Sequence, residues 1–227
     1  YNHATMHLMQ KVFELHDKNS FEIFIYSYGH YQDEVTERLK KNVYVFRDVS
    51  SFTDEEIAIK AREDKLDLAV DLKGFTRETR LSIFAYRLAK IQITYLGYPG
   101  SVGAEFIDYL IADRILIPKG HEKFYSEKII YMPNSYQCND SSKMISNIKL
   151  KRKDFDLPED SVIFTCFNNG FKITEIEFDI WMNLLKEIEN SHLWLFSSNP
   201  YMERNLKKEA KKRGIDSSRL SFAKKLS

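Results

Sequence analysis

Residues Gln92 to Asp113 read QITYLGYPGSVGAEFIDYLIAD, and this stretch sets the reading of the whole chain. Ile91, Ile93, Tyr95 and Leu96 form an apolar, β-branched and aromatic run, as in a buried strand. Gly97, Pro99, Gly100 and Gly103 follow within seven positions, and a second apolar strand, Phe106 to Ala112, comes after them. A strand that empties into a tight glycine loop has two readings. It is a turn between two core strands, or it is a loop at the carboxyl end of a sheet, where α/β proteins bind ligands and glycine lets backbone amides come close.

The neighbouring sequence extends the pattern in both directions. Thr5 to His16 has helical spacing, with Asn2 or Thr5 available as its cap and His3 just before it. Phe21 to Tyr26 and Val43 to Phe46 read as strands, with a polar amphipathic helix from Tyr31 to Lys41 between them. Thr53 and Glu56 make a capping box for a helix running to about Asp64. Leu66 to Leu72 is a strand apolar enough for burial on both faces, and Lys73, Gly74, Phe75 and Thr76 follow it at once. Arg77 to Lys90 is expected to be helical, and Ile129 to Met132 is a strand stopped by Pro133.

From Asn134 to Asp160 the periodicity dissolves into Ser, Asn, Asp and Lys, the composition of a linker. The rhythm then restarts. Ser161 to Phe167 is a strand with the exit loop Asn168, Asn169, Gly170, Phe171, Lys172. Thr174 and Glu177 suggest a second capping box, on a helix reaching about Asn190. Leu193 to Phe196, a helix from Tyr201 to Arg213 closed by Gly214, and Leu220 to Phe222 complete the chain. Strands alternating with helices imply an α/β fold with mainly parallel sheets. The expected domains are 1–134, a linker over 135–160, and 161–227 as the start of a second, incomplete domain.

Composition narrows the function classes. Lys plus Arg number 34 against 33 for Asp plus Glu, so no global field recruits nucleic acid or an anionic membrane. Local basic clusters at Lys149, Lys151, Arg152, Lys153 and at Lys207, Lys208, Lys211, Lys212, Arg213 read as a solvated linker and a solvated helix face. Cys138 and Cys166 lack metal-ligand spacing and form no disulfide framework, which suits a reducing cytoplasm. No apolar run approaches the roughly 18 to 20 residues that span a bilayer. A chain that opens on Tyr1, almost directly in a helical pattern, reads as a piece of a longer protein.

Five blocks, NHATMHLMQ from Asn2, DLKGFT from Asp71, IQITYLGYPGSVGAEFIDYLIAD from Ile91, YSEKIIYMP from Tyr125 and FNNGFKI with the following FDIWMNLLK from Phe167, together resemble the protein O-GlcNAc transferases and the SPINDLY-like group. Their order and spacing cover nearly the whole chain. The resemblance implies a GT-B fold of two Rossmann-like domains facing a cleft, with the first strand of the first domain missing here and the second domain truncated. It implies a tetratricopeptide array upstream, and a diphosphate-holding His-Thr-Thr segment beyond Ser227. The implied activity is inverting transfer of N-acetylglucosamine from UDP-GlcNAc to Ser or Thr hydroxyls of protein acceptors, with no cofactor and no metal. The rivals are a protein O-fucosyltransferase using GDP-fucose and a non-catalytic interaction module. The 227-residue chain alone is expected to be inactive, since half the donor site lies elsewhere.

Through the resemblance, Lys172 is the leaving-group lysine, and it precedes a helix whose N-terminal amides also favour an anion. Asn168 and Asn169 are expected to touch phosphate or uracil, Asn169 standing where many relatives carry Gln. His3 is a general base or a polar orienter of the acceptor hydroxyl. Asp71, Gly74 and Thr76 position donor sugar or acceptor. The loop with Tyr98, Pro99, Gly100 and Gly103 closes over sugar and acceptor. Asp67 replaces a histidine of animal relatives, so no role carries over to it. His7 belongs to the packing, Asp113 and Arg114 are expected to form a loop-fixing ion pair, and Tyr125, Ser126 and Glu127 receive only a structural role.

Overall fold

Ile91–Thr94 (β4) is the hub of a four-stranded parallel sheet of order β3-β4-β5-β6, its partners being Leu68–Asp71 (β3), Tyr109–Ala112 (β5) and Lys128–Tyr131 (β6). The computed structural model describes residues 1–29 and 32–224. It divides into two units, Tyr1–Met144 and Ile145–Ser227, a division that falls within 135–160.

In the first unit, Phe24–Ser27 (β1) and Val45–Asp48 (β2) pair as a separate parallel sheet. Around the strands lie Ala4–Leu15 (α1), Glu34–Asn42 (α2) and Asp54–Glu63 (α3). Tyr31, expected to open the second helix, lies outside the described residues. The Thr53–Glu56 capping box forms in full at the start of α3. Ile57, Ala58 and Ala61 of α3 then bury against Ala69, Leu81, Ile83 and Phe84. On the α1 side, Met9 and Phe13 bury with Leu39 and Leu96, against Leu72 and Tyr95. Each such side chain removed from water contributes about 2 kcal/mol, so α1 is anchored on the residues that leave β3 and β4.

The second unit is a three-stranded parallel sheet of order β7-β8-β9, from Val162–Cys166 (β7), Ser191–Phe196 (β8) and Leu220–Ala223 (β9). Two helices, Glu175–Glu187 (α4) and Pro200–Lys212 (α5), bury Phe178, Met182, Leu185 and Ala210 against Leu193 and Leu195. Gly214, at φ +78°, ends the last turn of α5.

Several expectations are corrected. The segment Arg77 to Lys90 holds only a 3-10 turn, Leu81–Tyr86, because Glu78 and Arg87 both adopt left-handed backbone. Gln92, fully buried, accepts from the Leu88 amide and donates to the carbonyls of Phe84 and Phe106, supplying this irregular stretch with side-chain partners in place of helical ones. Strand β3 is covered on one face only: Ala69 and Asp71 are buried, whereas Leu68 and Val70 are 50% and 45% exposed.

At α4, Thr174 is the N-cap residue but donates its hydroxyl to the Glu177 carboxylate, so its oxygen does not cap the helix amides and the reciprocal box is absent. Two basic-cluster members are structural rather than solvated. Arg152 donates to the carbonyls of Pro158, Glu159 and Ser161, and Arg213 joins Asp179, Glu209 and Glu175 beside the Phe178 ring.

Candidate active site

In the first unit, two strand exits are pressed together. β3 ends at Asp71, and its ladder with β4 continues one step as the Tyr95 amide donates to the Asp71 carbonyl at 2.9 Å. Leu96 then adopts φ +72°, and the Gly97 amide closes a three-residue turn onto the Tyr95 carbonyl at 2.9 Å. Such backbone is disfavoured in leucine, on the order of 1–3 kcal/mol, and burial of the Leu96 side chain in the α1 cluster offsets it. The turn throws Tyr98 across Gly74. A Cβ on Gly74 would lie 2.5 Å from the Tyr98 Cβ, and a Cβ on Gly97 2.2 Å from the Leu72 carbonyl oxygen. Phe75 meets the Tyr98 ring edge-on at 5.7 Å.

Asp71 is buried at the centre of this contact, accepting from the amides of Lys73 at 3.0 Å and Gly74 at 2.7 Å. Burial raises its pKa, against the lowering effect of those two amides and of the Lys73 ammonium. It shapes the turn carrying Gly74 and Thr76, whose amide closes onto the Gly74 carbonyl at 2.9 Å. Beyond Tyr98, Pro99 and Gly100 continue the loop, and Gly103 leaves it at φ +68° with open space around it.

His3, and neither Asn2 nor Thr5, is the N-cap of α1: its Nδ1 accepts from the Thr5 amide at 3.2 Å. A backbone N–H can only donate, so Nδ1 carries the lone pair and the neutral ring holds its proton on Nε2. Partial burial lowers the pKa of His3 from its ordinary 6.5, and the Lys73 ammonium lowers it further. The exposed ring therefore presents an Nε2–H donor, which suits orienting an oxygen better than abstracting a proton. His7, one turn on, is exposed rather than packed. Asp113 and Arg114 form no ion pair. Asp113 accepts from the amides of Ile115, Leu116 and Tyr136, which hold its pKa below the usual carboxylate range, and Arg114 pairs with Glu122 over the Tyr131 ring.

In the second unit, the exit of β7 carries Asn168 and Asn169, both exposed. A short 3-10 turn, Gly170–Lys172, links them to α4, with the Lys172 amide donating to the Asn169 carbonyl at 2.9 Å. Among the described residues the Lys172 side chain, itself exposed, has no hydrogen-bond or ion-pair partner. It precedes the open amides of a 13-residue helix whose cap hydroxyl points elsewhere.

The sequence model of glycosyl transferase family 41 matches residues 1–152 and 148–226. The chain belongs to this family. Within family 41 it is similar to the probable UDP-N-acetylglucosamine–peptide N-acetylglucosaminyltransferase SEC of Arabidopsis thaliana, at 35% identity over 97% of the chain and 23% of that protein. The Caenorhabditis elegans UDP-N-acetylglucosamine–peptide N-acetylglucosaminyltransferase is 22% identical over 98% of the chain and 29% of its own length. The O-GlcNAc transferase structure of Thermobaculum terrenum superposes with a TM-score of 0.90 at 27% identity, over the full chain and 43% of that structure. A glycosyltransferase of Rickettsia africae, 12% identical with a TM-score of 0.54 over 98% of the chain and 63% of its own, shares the fold. The α/β fold of the GT-B class expected from the sequence is thus established. The chain spans less than a third of these curated family 41 relatives.

Proposed function

We propose that this chain is part of a protein O-glycosyltransferase that moves N-acetylglucosamine from UDP-GlcNAc to Ser or Thr hydroxyls. The observation that carries the reading is the Lys172 ammonium at the β7 exit, without a partner among the described residues and followed by the N-terminal amides of α4. Departure of a nucleoside diphosphate builds negative charge, and a fixed cation with oriented amides stabilises it without a metal. In this reading Asn168 and Asn169, both exposed at the same exit, donate to phosphate or base. Asp71, Gly74, Thr76 and the loop from Tyr98 to Gly103 form the sugar- and acceptor-side surface, with His3 as an Nε2–H donor to the acceptor oxygen.

The names of the relatives favour N-acetylglucosamine over fucose as the sugar. No helix among the described residues is long and apolar enough to cross a membrane. Two unpaired cysteines accord with a cytoplasmic setting. The test is to incubate the intact protein with UDP-GlcNAc or GDP-fucose and a Ser/Thr peptide, following both transfer and protection from thermal unfolding. Protection and transfer with UDP-GlcNAc are expected. Transfer from GDP-fucose alone would overturn the choice of sugar, and transfer from neither donor would overturn the enzyme.

His3 yields two further expected outcomes. Asn at position 3 preserves the cap on Thr5 and removes the Nε2–H, so His3→Asn should keep the unfolding temperature while lowering kcat on the order of 10²-fold. The lowered pKa sets the pH dependence. Because folding favours the neutral ring, its contribution to stability is present above about 6.5 and is lost as pH falls through the depressed folded value. Protonation keeps the Nε2–H but turns Nδ1 into a donor and breaks the bond from the Thr5 amide that orients the ring. Transfer by the wild type should therefore persist below the ordinary imidazole range before an acid limb set by loss of this cap. Loss of that limb in a pH–rate profile of His3→Asn would assign it to this ring.

A further inference from the structure

The loop from Tyr98 to Gly103 is held at its near end by the contact of Tyr98 with Gly74. Its far end is held by something the functional reading does not use. Glu127 is 4% exposed, and both of its carboxylate oxygens are spent on this loop: Oε2 accepts from the Ser101 hydroxyl at 2.7 Å and Oε1 from the Val102 amide at 2.6 Å. The Ser101 oxygen in turn accepts from the Gly103 amide at 3.1 Å and the Ser126 amide at 3.4 Å, and lies 3.2 Å from the Ser126 hydroxyl. Three consecutive loop residues thus converge on one carboxylate and one hydroxyl.

The other buried acids of this unit behave differently. Asp71 accepts from residues two and three positions ahead, and Asp113 does the same apart from one bond to Tyr136. Those acids shape mainly their own turns. Glu127 instead reaches back 25 residues to a loop with no ladder of its own, and its own place is fixed by the sheet. It immediately precedes β6, whose first residue, Lys128, donates its amide to the Asp108 carbonyl at 3.0 Å and pairs with Tyr109 in register. The carboxylate transmits the position of the sheet to the loop.

We propose that Glu127, acting through Ser101 and the Val102 amide, is a positioning residue for sugar transfer that holds the Tyr98 to Gly103 loop in its reactive conformation. This rests on the assignment of that loop to the sugar and acceptor. Misplacing a substrate-facing loop by about 1 Å costs on the order of 10²-fold in rate. In the same reading the nucleotide and diphosphate of the donor are held by groups of the second unit, so loosening the clamp acts mainly on kcat and on the acceptor, with little change in the donor KM.

The test uses the intact protein with UDP-GlcNAc and a Ser/Thr peptide, comparing Glu127→Gln, Ser101→Ala, Ser101→Thr and, as a stability control, Asp113→Asn. Ser101→Ala leaves the buried carboxylate in place and so guards against a Glu127 variant that fails to fold. Expected are kcat losses of about tenfold or more for Glu127→Gln and Ser101→Ala, a donor KM within about twofold of wild type, and recovery in Ser101→Thr. Asp113→Asn should keep its kcat when assayed below its own unfolding temperature. Amide exchange at Val102 and Gly103 should accelerate in Glu127→Gln while that of β6 does not.

Wild-type kcat in both clamp variants, or losses that merely track the unfolding temperature as in Asp113→Asn, would overturn the proposal. Unchanged exchange at Val102 would overturn the clamp alone. A wild-type protein that transfers no sugar would instead overturn the functional reading beneath it.

Discussion

Lys172→Ala in the intact protein should lower kcat for transfer from UDP-GlcNAc by about 10³-fold or more while leaving the unfolding temperature unchanged. The two halves of this expectation have separate causes. Removal of a single neutral donor to a developing oxyanion costs on the order of 10²–10³ in rate, and a cation facing a departing diphosphate stabilises more charge than a neutral donor does. Stability is spared because the ammonium is exposed and touches no counter-charge among the described residues. The turn that carries it is held by other means. The amides of Lys172 and Ile173 bond to the carbonyls of Asn169 and Gly170, and Gly170 lies so close under α5 that a Cβ there would fall 2.1 Å from the Met202 sulfur. Lys172→Arg should restore charge without restoring rate, since the planar guanidinium presents its donors in a different geometry. Turnover at saturating donor and a thermal unfolding curve for each variant decide the matter. Wild-type turnover in Lys172→Ala would remove the central support for the proposed chemistry.

The parts of this architecture that could be read from the residues share one property: the signal is local or periodic. The apolar runs at Leu66 to Leu72 and Ile91 to Leu96 read as strands, and strands form within them at Leu68–Asp71 and Ile91–Thr94. Thr53 and Glu56, three apart, make a box that closes on itself. Where a reading failed, a distant partner or a backbone torsion decided. Leu81, Ile83, Phe84 and Leu88 have helical spacing, yet left-handed Glu78 and Arg87 bracket a mere 3-10 turn. Thr174 and Glu177 have the spacing of Thr53 and Glu56, and there the hydroxyl donates to the acid instead of accepting from the helix.

His3 reads from the sequence as a residue just before a helix start, with the cap offered to Asn2 or Thr5, because an imidazole is an unusual choice at a position where hydroxyl, amide and carboxyl side chains predominate. Glu127 was the hardest to read. Its partners lie 25 residues upstream, and no short motif joins an acid before one strand to a serine after another. Asp113 and Arg114, adjacent and opposite in charge, invited a pairing. Consecutive residues at the end of a strand point to opposite sides, and each found other partners.

Gly97→Ala should destabilise the first unit by about 3 kcal/mol or more and abolish transfer, whereas Gly103→Ala, six residues on in the same loop, should cost only about 1–2 kcal/mol. At Gly97 the added Cβ would stand 2.2 Å from the Leu72 carbonyl oxygen, 3.0 Å from the Lys73 Cα and 3.1 Å from the Leu72 carbonyl carbon. All three are backbone atoms of the β3 exit, so no change of rotamer relieves the overlap. Relief requires the two strand exits to part. Parting them breaks the turn that Asp71 holds and withdraws Tyr98 from Gly74. At Gly103 nothing lies within 4 Å of the same carbon, and only the left-handed backbone at φ +68° opposes a side chain. Thermal unfolding of the two variants side by side, with transfer assayed well below both transitions, separates close approach from backbone preference as the reason for each glycine. Equal stability of the two would mean that the exits of β3 and β4 can separate at little cost, and a surface built on their contact could not hold a sugar and a hydroxyl in reacting position.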